Sequence, residues 1–388
     1  MTKHLSHQIH PSDSVVENVY PIGKRMEKER RHAIFSNRAK YEFNTLNFGG
    51  VVGIQLNNQA LYSDTYIQMD FKSDDVSGST LRRLCGLQAI QRIEYIIAGS
   101  MPVSLDWEDS FFALVDECES GEKRTELLRM AGSEQTTLNA GSIFRAYIPL
   151  SLPWSKIKVA EKFPFDSNLT GQTRINIYLA QASDVYSANP VTALSAGRLV
   201  IRTGEIVNPE DRIVPKPGQV LNFVYEFKQS YKSVAVTPAS TSTVNQVYLT
   251  GFKAGSLTQI LLRCLDVSKQ TNAKHELNTM SNLKVSLNGQ IMYDFNADNW
   301  KVANLFESNL PTRITVNSVD YYWVNLVFVQ TPLKNTNFGL KHQSGVDFRN
   351  QQVLVEYTSS STNAQILEAV YLYNGNLLCS NGNSEIVV

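Results

Sequence analysis

The chain of 388 residues is poor in the residues that carry chemistry. Its cysteines, Cys85, Cys118, Cys264 and Cys379, lie far apart with no C-x-x-C spacing. That spacing argues against a zinc site and against a disulfide framework, and the expectation is reduced, mostly buried thiols. Of the six histidines, His4, His7, His10 and His32 fall near the N-terminus, leaving only His275 and His342 beyond it. A serine nucleophile needs a base and an exposed elbow, and there is no G-x-S-x-G for one to stand on. Gly23-Lys24 has no earlier glycine at the spacing of a phosphate-binding loop and is followed by Arg25. There is no H-E-x-x-H. No apolar run reaches the roughly 20 residues that span a bilayer, and MTKHLSHQIH has no signal-peptide core. The chain is therefore expected to be made in the cytoplasm, not exported by the usual route, free of cofactor and metal, and not an enzyme.

Acidic pairs do occur, and a glycosidase would need two carboxylates facing each other across a cleft. Asp74-Asp75 lies in SDDVSGS, a turn composition, and Asp106, Glu108 and Asp109 stand where a helix N-terminus favours negative charge. Both are read as structural. Asn168-Leu169-Thr170 is a lone glycosylation sequon, without meaning in a chain that enters no secretory compartment.

What is present is β-forming sequence. The chain is 43% hydrophobic and 19% charged, with 17 Tyr and 17 Phe, which favours sheet over helix in a soluble protein. Its length exceeds one ordinary core and suits two domains. A pattern also occurs twice, as IQRIEYIIAGSMPVSLDW from Ile90 to Trp107 and NLKVSLNGQIMYDFNADNW from Asn282 to Trp300. Each copy reads as strand, tight turn at Gly99 or Gly289, strand, and a Trp (Trp107 or Trp300) opening a helical stretch. Glycine at the turn supplies the positive φ that a short hairpin requires.

The zero net charge hides an asymmetry. Residues 1–41 carry eight Lys/Arg against four Asp/Glu. Residues 1–40 are read as a basic arm, helical from Lys24 to about Asn37, in which Lys24, Arg25, Lys28, Arg30, Arg31, Arg38 and Lys40 face an anionic surface of lipid or packaged nucleic acid. Residues 41–236 form a first β-domain, 237–246 (TPASTSTVNQ) a linker, and 247–388 a second domain. YYWVNLVFVQ answers FRAYIPLSL, QQVLVEYTS answers RINIYLAQA, and QILEAVYLYNGNLL answers VLNFVYEFKQ. The offset falls from about 190 residues to below 150, placing extra material in the first copy between Gln181 and Gly218. Two eight-stranded antiparallel units with a helical excursion fit jelly rolls better than immunoglobulin sandwiches.

The doubled hairpin-Trp-helix pattern, with Ile148-Pro149-Leu150, Phe163-Pro164-Phe165 and Arg174-Ile175-Asn176-Ile177, resembles the double jelly-roll major capsid proteins of tectivirus-type phages, adenovirus and large DNA viruses. Ile93-Glu94-Tyr95-Ile96-Ile97-Ala98-Gly99-Ser100 is similar to the IEVxIGGxxI hairpin of the large-virus members, with Ala98 for the first Gly. The resemblance covers Tyr41 to the C-terminus and is weakest at Asn288-Gly289-Gln290. It implies an all-β fold of two tandem jelly rolls with short flanking helices. It further implies a homotrimer of pseudo-sixfold outline tiling an icosahedral virion, and the N-terminal arm facing an internal membrane. Minor capsid and vertex proteins would be partners, and nucleic acid only indirectly. From the residues alone, a carbohydrate-binding β-sandwich or receptor-binding spike is the other expectation.

Overall fold

A computed structural model describes residues 16–18, 33–56, 61–98, 100, 102–106, 115, 121–133, 137–150, 152, 154, 165–166, 171–206, 219–252, 256–267, 277–278, 280–295, 311–316, 319–327, 348, 351–380 and 383–387. After β1 (Val16–Asn18), the first half comprises β2 (Ala33–Glu42), β3 (Val51–Gln55), β4 (Leu61–Lys72), β5 (Ser79–Leu81), β6 (Ile90–Ile97), β7 (Val103–Asp106), β8 (Thr137–Leu138), β9 (Ile143–Pro149), β10 (Phe165–Asp166), β11 (Thr173–Leu179), β12 (Tyr186–Ala188) and β13 (Ala196–Ile206). Helices α1 (Cys85–Gln88), α2 (Gly121–Met130) and α3 (Ala182–Val185) interrupt it. The second half comprises β14 (Val220–Lys232), β15 (Asn245–Leu249), β16 (Ser256–Asp266), β17 (Leu277–Asn278), β18 (Met280–Leu287), β19 (Gln290–Phe295), β20 (Pro311–Val316), β21 (Val319–Val327), β22 (Val353–Ser359), β23 (Gln365–Ser380) and β24 (Asn383–Val387).

In the first half one sheet runs β2-β13-β4, with β9 and β10 both pairing the far edge of β4, and a second runs β3-β11-β6-β7. In the second half the sheets run β14-β23-β16-β21 and β15-β22-β18-β19. Leaving aside β1, which pairs β14 in parallel, and the peripheral strands β5, β8, β10, β12, β17, β20 and β24, each half joins its first, eighth, third and sixth strands in one sheet. Its second, seventh, fourth and fifth strands form the other. That order, antiparallel throughout, is the jelly roll.

The alternation of side chains along each strand builds the cores. Ile67, Met69 and Phe71 of β4, Ile93, Tyr95 and Ile97 of β6, and Ile175, Ile177 and Leu179 of β11 are buried in one cluster. Ile260 and Leu262 of β16, Leu283 and Val285 of β18, and Val353, Val355 and Tyr357 of β22 form the other. Each such aliphatic side chain contributes about 1.5–3 kcal/mol on burial. The buried Trp154 donates from Nε1 to Thr65 Oγ1 at 3.0 Å, so its one polar atom is satisfied inside the first core.

The structure differs from the sequence expectations at both domain starts. Ala33–Asn37, expected as the end of a helix, are part of β2, which pairs with β13 from Ala33↔Ile206 to Glu42↔Arg198. Arg38 and Lys40 therefore belong to a sheet of the first jelly roll and not to an arm. Likewise β14, expected to end the first domain, pairs with β23 over its whole length after Val220 and opens the second jelly roll. The expected linker ends inside a strand, since Asn245 and Gln246 are in β15. The strand equivalent to β23 is thus β13, not β14. Extra material in the first copy does lie in residues 180–195, between β11 and β13, where α3 and β12 sit.

Candidate functional site

Among the described residues no group of three or more His, Cys, Asp and Glu is arranged to hold a metal ion. Cys85 is fully buried, and desolvation pushes its thiol well above the ordinary range, away from nucleophilic chemistry. Asp74 accepts hydrogen bonds from the backbone N–H groups of Val76 and Ser77 at 3.0 and 2.8 Å. Those bonds close a turn and hold its carboxyl below the ordinary carboxylate range. The features with functional content are sheet faces.

The outer face of β14-β23-β16 is covered by the first jelly roll. Leu261, Val370 and Leu372, which point away from their own core, are buried in the first half's cluster. Four charged groups cross this junction. Asp106 Oδ2 at the end of β7 lies 2.8 Å from Lys232 Nζ, which lies 3.2 Å from Glu368 Oε1. Glu368 Oε2 then lies 2.7 Å from the guanidinium of Arg263. The Arg263 and Glu368 side chains are only 4% and 1% exposed, so each charge depends on the next for stabilisation. Asp106 thus serves the junction between the halves; the helix start expected beyond it, at Trp107, lies outside the described residues.

The corresponding face of the first jelly roll is only partly buried: Val200 and Gln68 are buried there and Arg202 is exposed. Arg38 and Lys40 of β2 are exposed there. They line a groove of ≈ 880 Å³ with Tyr66, Tyr147, Pro149 and Val200. Beside it Arg145 grips Asp70 through two hydrogen bonds of 2.7 Å. That pair, chiefly through the Arg145 hydrogen bond, holds the Asp70 carboxyl below the ordinary range although burial opposes it.

The hairpin of the second half turns at Asn288 and Gly289, with φ of 49° and 81°. Both values are left-handed, as a two-residue primed turn requires. In the first hairpin Ala98 takes φ 36°, and Ser100 N–H donates to Ile97 O at 2.9 Å across the turn. Beyond the turn of the second hairpin, Ile291 and Met292 on β19 are 50% and 46% exposed. Of the residues singled out in the sequence, Lys24, Arg25, Lys28, Arg30, Arg31, Gly99, Trp107 and Trp300 lie outside the described residues. The junction residues Lys232, Arg263 and Glu368 were not foreseen. The run SLTQILLRCLD carried their signal, because apolar residues at successive positions mark a strand buried on both faces.

No protein-family model matches the sequence, and no curated protein does. Solved structures do match. VP54 of PBCV-1, in the crystal structure fitted into a reconstruction of the virophage Sputnik, is 12% identical with a TM-score of 0.65, over 91% of this chain and 97% of that one. The Faustovirus major capsid protein is 11% identical with a TM-score of 0.58, over 96% of each chain. The mavirus major capsid protein is 9% identical with a TM-score of 0.54, over 92% of this chain and 90% of that one. The likeness spans both halves and their connection, and the strand order in each half is the same roll: the chain has the double jelly-roll fold of these viral capsid proteins.

Proposed function

We propose that the chain is a structural major capsid protein, a component of the virion, with no catalytic role. The observation that carries this reading is the tandem pair of jelly rolls locked by a buried charged junction, together with the near end-to-end likeness to capsid proteins. Two similar units fixed side by side give one chain two near-equivalent lattice positions. Three chains then form a homotrimer of pseudo-sixfold outline that tiles an icosahedral shell, with minor capsid and vertex proteins at special positions. Light scattering of the purified full chain is expected to give a mass of three chains; a single-chain mass at every concentration contradicts the reading.

The N-terminal segment faces the shell interior and its membrane. Lys24, Arg25, Lys28, Arg30 and Arg31 supply the attraction, each worth on the order of 1 kcal/mol near an anionic leaflet and multiplied across a lattice. Arg38 and Lys40 are left out of this role because β2 holds them on a sheet face. Replacing the five by Gln is expected to abolish binding of the assembled protein to phosphatidylserine vesicles at low salt; unchanged binding contradicts the membrane-facing role.

A further inference from the structure

The strands β1 and β2 follow one another in the chain but belong to different jelly rolls. β1 pairs in parallel with the start of β14, as Val16↔Val220, Glu17↔Leu221 and Asn18↔Asn222, on the edge of the second roll's larger sheet. β2 opens the first roll, where Ala33 pairs with Ile206 at the end of β13. Asp106, the last residue of β7, stands in one row with Arg92, Tyr178 and Val51, the residue at which the chain re-enters a sheet after Glu42. It meets Lys232, the last residue of β14, so the two rolls stand the same way up. Ala33 and Val220 therefore both lie at the lower end, remote from Glu42 and Lys232. Between Asn18 and Ala33 the sequence holds Lys24, Arg25, Lys28, Arg30 and Arg31 against Glu27 and Glu29. The chain is thus anchored on both sides of these cations, once on each roll.

We infer that β1 is a positioning strand for lipid binding: its pairing with β14 is a second anchor that keeps the five cations at the lower end of the molecule, against an anionic leaflet. The inference rests on the membrane-facing role of those cations and deepens it. Lys24 is six residues beyond Asn18 and nine before Ala33. An extended chain covers at most about 3.6 Å per residue, so with β1 in place Lys24 stands within about 22 Å of the β14 edge, whereas β2 as sole anchor lets it range to about 32 Å. Arg31, two residues before Ala33, is confined to about 7 Å by β2 in either case. Two anchors leave less chain freedom to be lost when the cations meet the leaflet, which is the advantage of a preorganised ligand. A strand that only shielded the β14 edge from other strands would leave lipid binding unchanged on its removal.

The test uses the assembled full chain and phosphatidylserine vesicles at low salt. In Glu17→Pro/Asn18→Pro two successive N–H groups are lost, so β1 cannot keep its ladder with β14 whichever of the two faces it. This variant is expected to melt like wild type, since three residues at a sheet edge are released, and to bind the vesicles at least ~5-fold more weakly. Val16→Cys/Val220→Cys, at directly paired positions, is expected to close a disulfide within one chain and to bind as tightly as wild type. The protein with its five cations replaced by Gln marks the floor. Binding lost in that protein but unchanged in the proline variant overturns the second anchor and leaves the membrane-facing role standing. Unchanged binding in the five-Gln protein removes both. A disulfide that forms only between chains also overturns the inference, because β1 is then held by another copy. Should the proline variant lose its melting transition, Val16→Gly/Glu17→Gly/Asn18→Gly replaces it and is read in the same way.

Discussion

The last residue of β2 is Glu42 and the last of β14 is Lys232, and from each a row of outward side chains crosses its sheet. In the first jelly roll the row is Glu42, Arg198 and Gln68; in the second it is Lys232, Glu368 and Arg263. The topology is the same and the surroundings are opposite. Glu42 and Arg198 meet at 3.7 Å with Glu42 mostly in solvent, whereas Glu368 and Arg263 meet at 2.7 Å in the buried junction. Four residues before the strand end the contrast recurs: Lys228 is buried opposite Leu372, while Arg38 is exposed opposite Arg202. A single fold thus carries a buried charged joint on one sheet and a partly exposed face on its twin.

The largest effect expected from breaking this comparison is at the junction. Glu368→Ala removes the carboxylate 2.7 Å from the buried Arg263 guanidinium, while the partly exposed Lys232 keeps Asp106, and is expected to cost about 3–5 kcal/mol in denaturant unfolding, whereas Arg198→Ala costs roughly 0–1 kcal/mol. Next is the apolar part of the joint. Leu372→Ala is expected to cost about 2–4 kcal/mol, and Arg202→Ala, at the matching place in the first sheet, within about 0.5 kcal/mol.

The two hairpins sharpen the comparison with smaller changes of opposite sign. Gly289→Val forces a β-branched side chain into φ 81° and is expected to destabilise by about 1–2 kcal/mol. Ala98→Gly relieves φ 36° and is expected to stabilise by up to about 1 kcal/mol, read as a small rise in melting temperature. A small, pH-dependent effect concerns Asp70, for which Asp70→Asn is expected to cost about 1 kcal/mol at neutral pH, since Arg145 is half exposed. The Asp70 carboxyl is held below its ordinary range in the fold, so its contribution is present above the unfolded value near 4. It disappears as pH falls through the depressed value. The gap between wild type and Asp70→Asn should therefore close on acidification.

Much of this was readable in the sequence, because strand order follows from short-period patterns. The hairpins and the matching of β9 with β21 and of β11 with β22 come directly from alternation and turn residues, whereas α2 lies beyond the helical stretch expected at Trp107. The two first strands depart from their local sequence signals for one physical reason. Ala33–Glu42 holds basic residues and good helix formers, and its strand conformation is imposed by pairing with β13, more than 150 residues away in the chain. For β14 the sequence neighbour is the first jelly roll, but its partner is β23 in the second. Propensity reports local preference, and tertiary pairing overrides it. The junction was illegible for a related reason: Asp106, Lys232, Arg263 and Glu368 come from four strands that only the folded topology brings together. Apolar continuity in β16 and β23 marked two-sided burial without naming what lay on the second side.

The central claim is that two jelly rolls of one chain occupy equivalent places in a closed assembly. Electron-microscope images of the purified full-length protein test it most directly. A three-fold particle with a six-lobed outline is the predicted result, and isolated two-lobed particles at concentrations well above those used to form a lattice would contradict it.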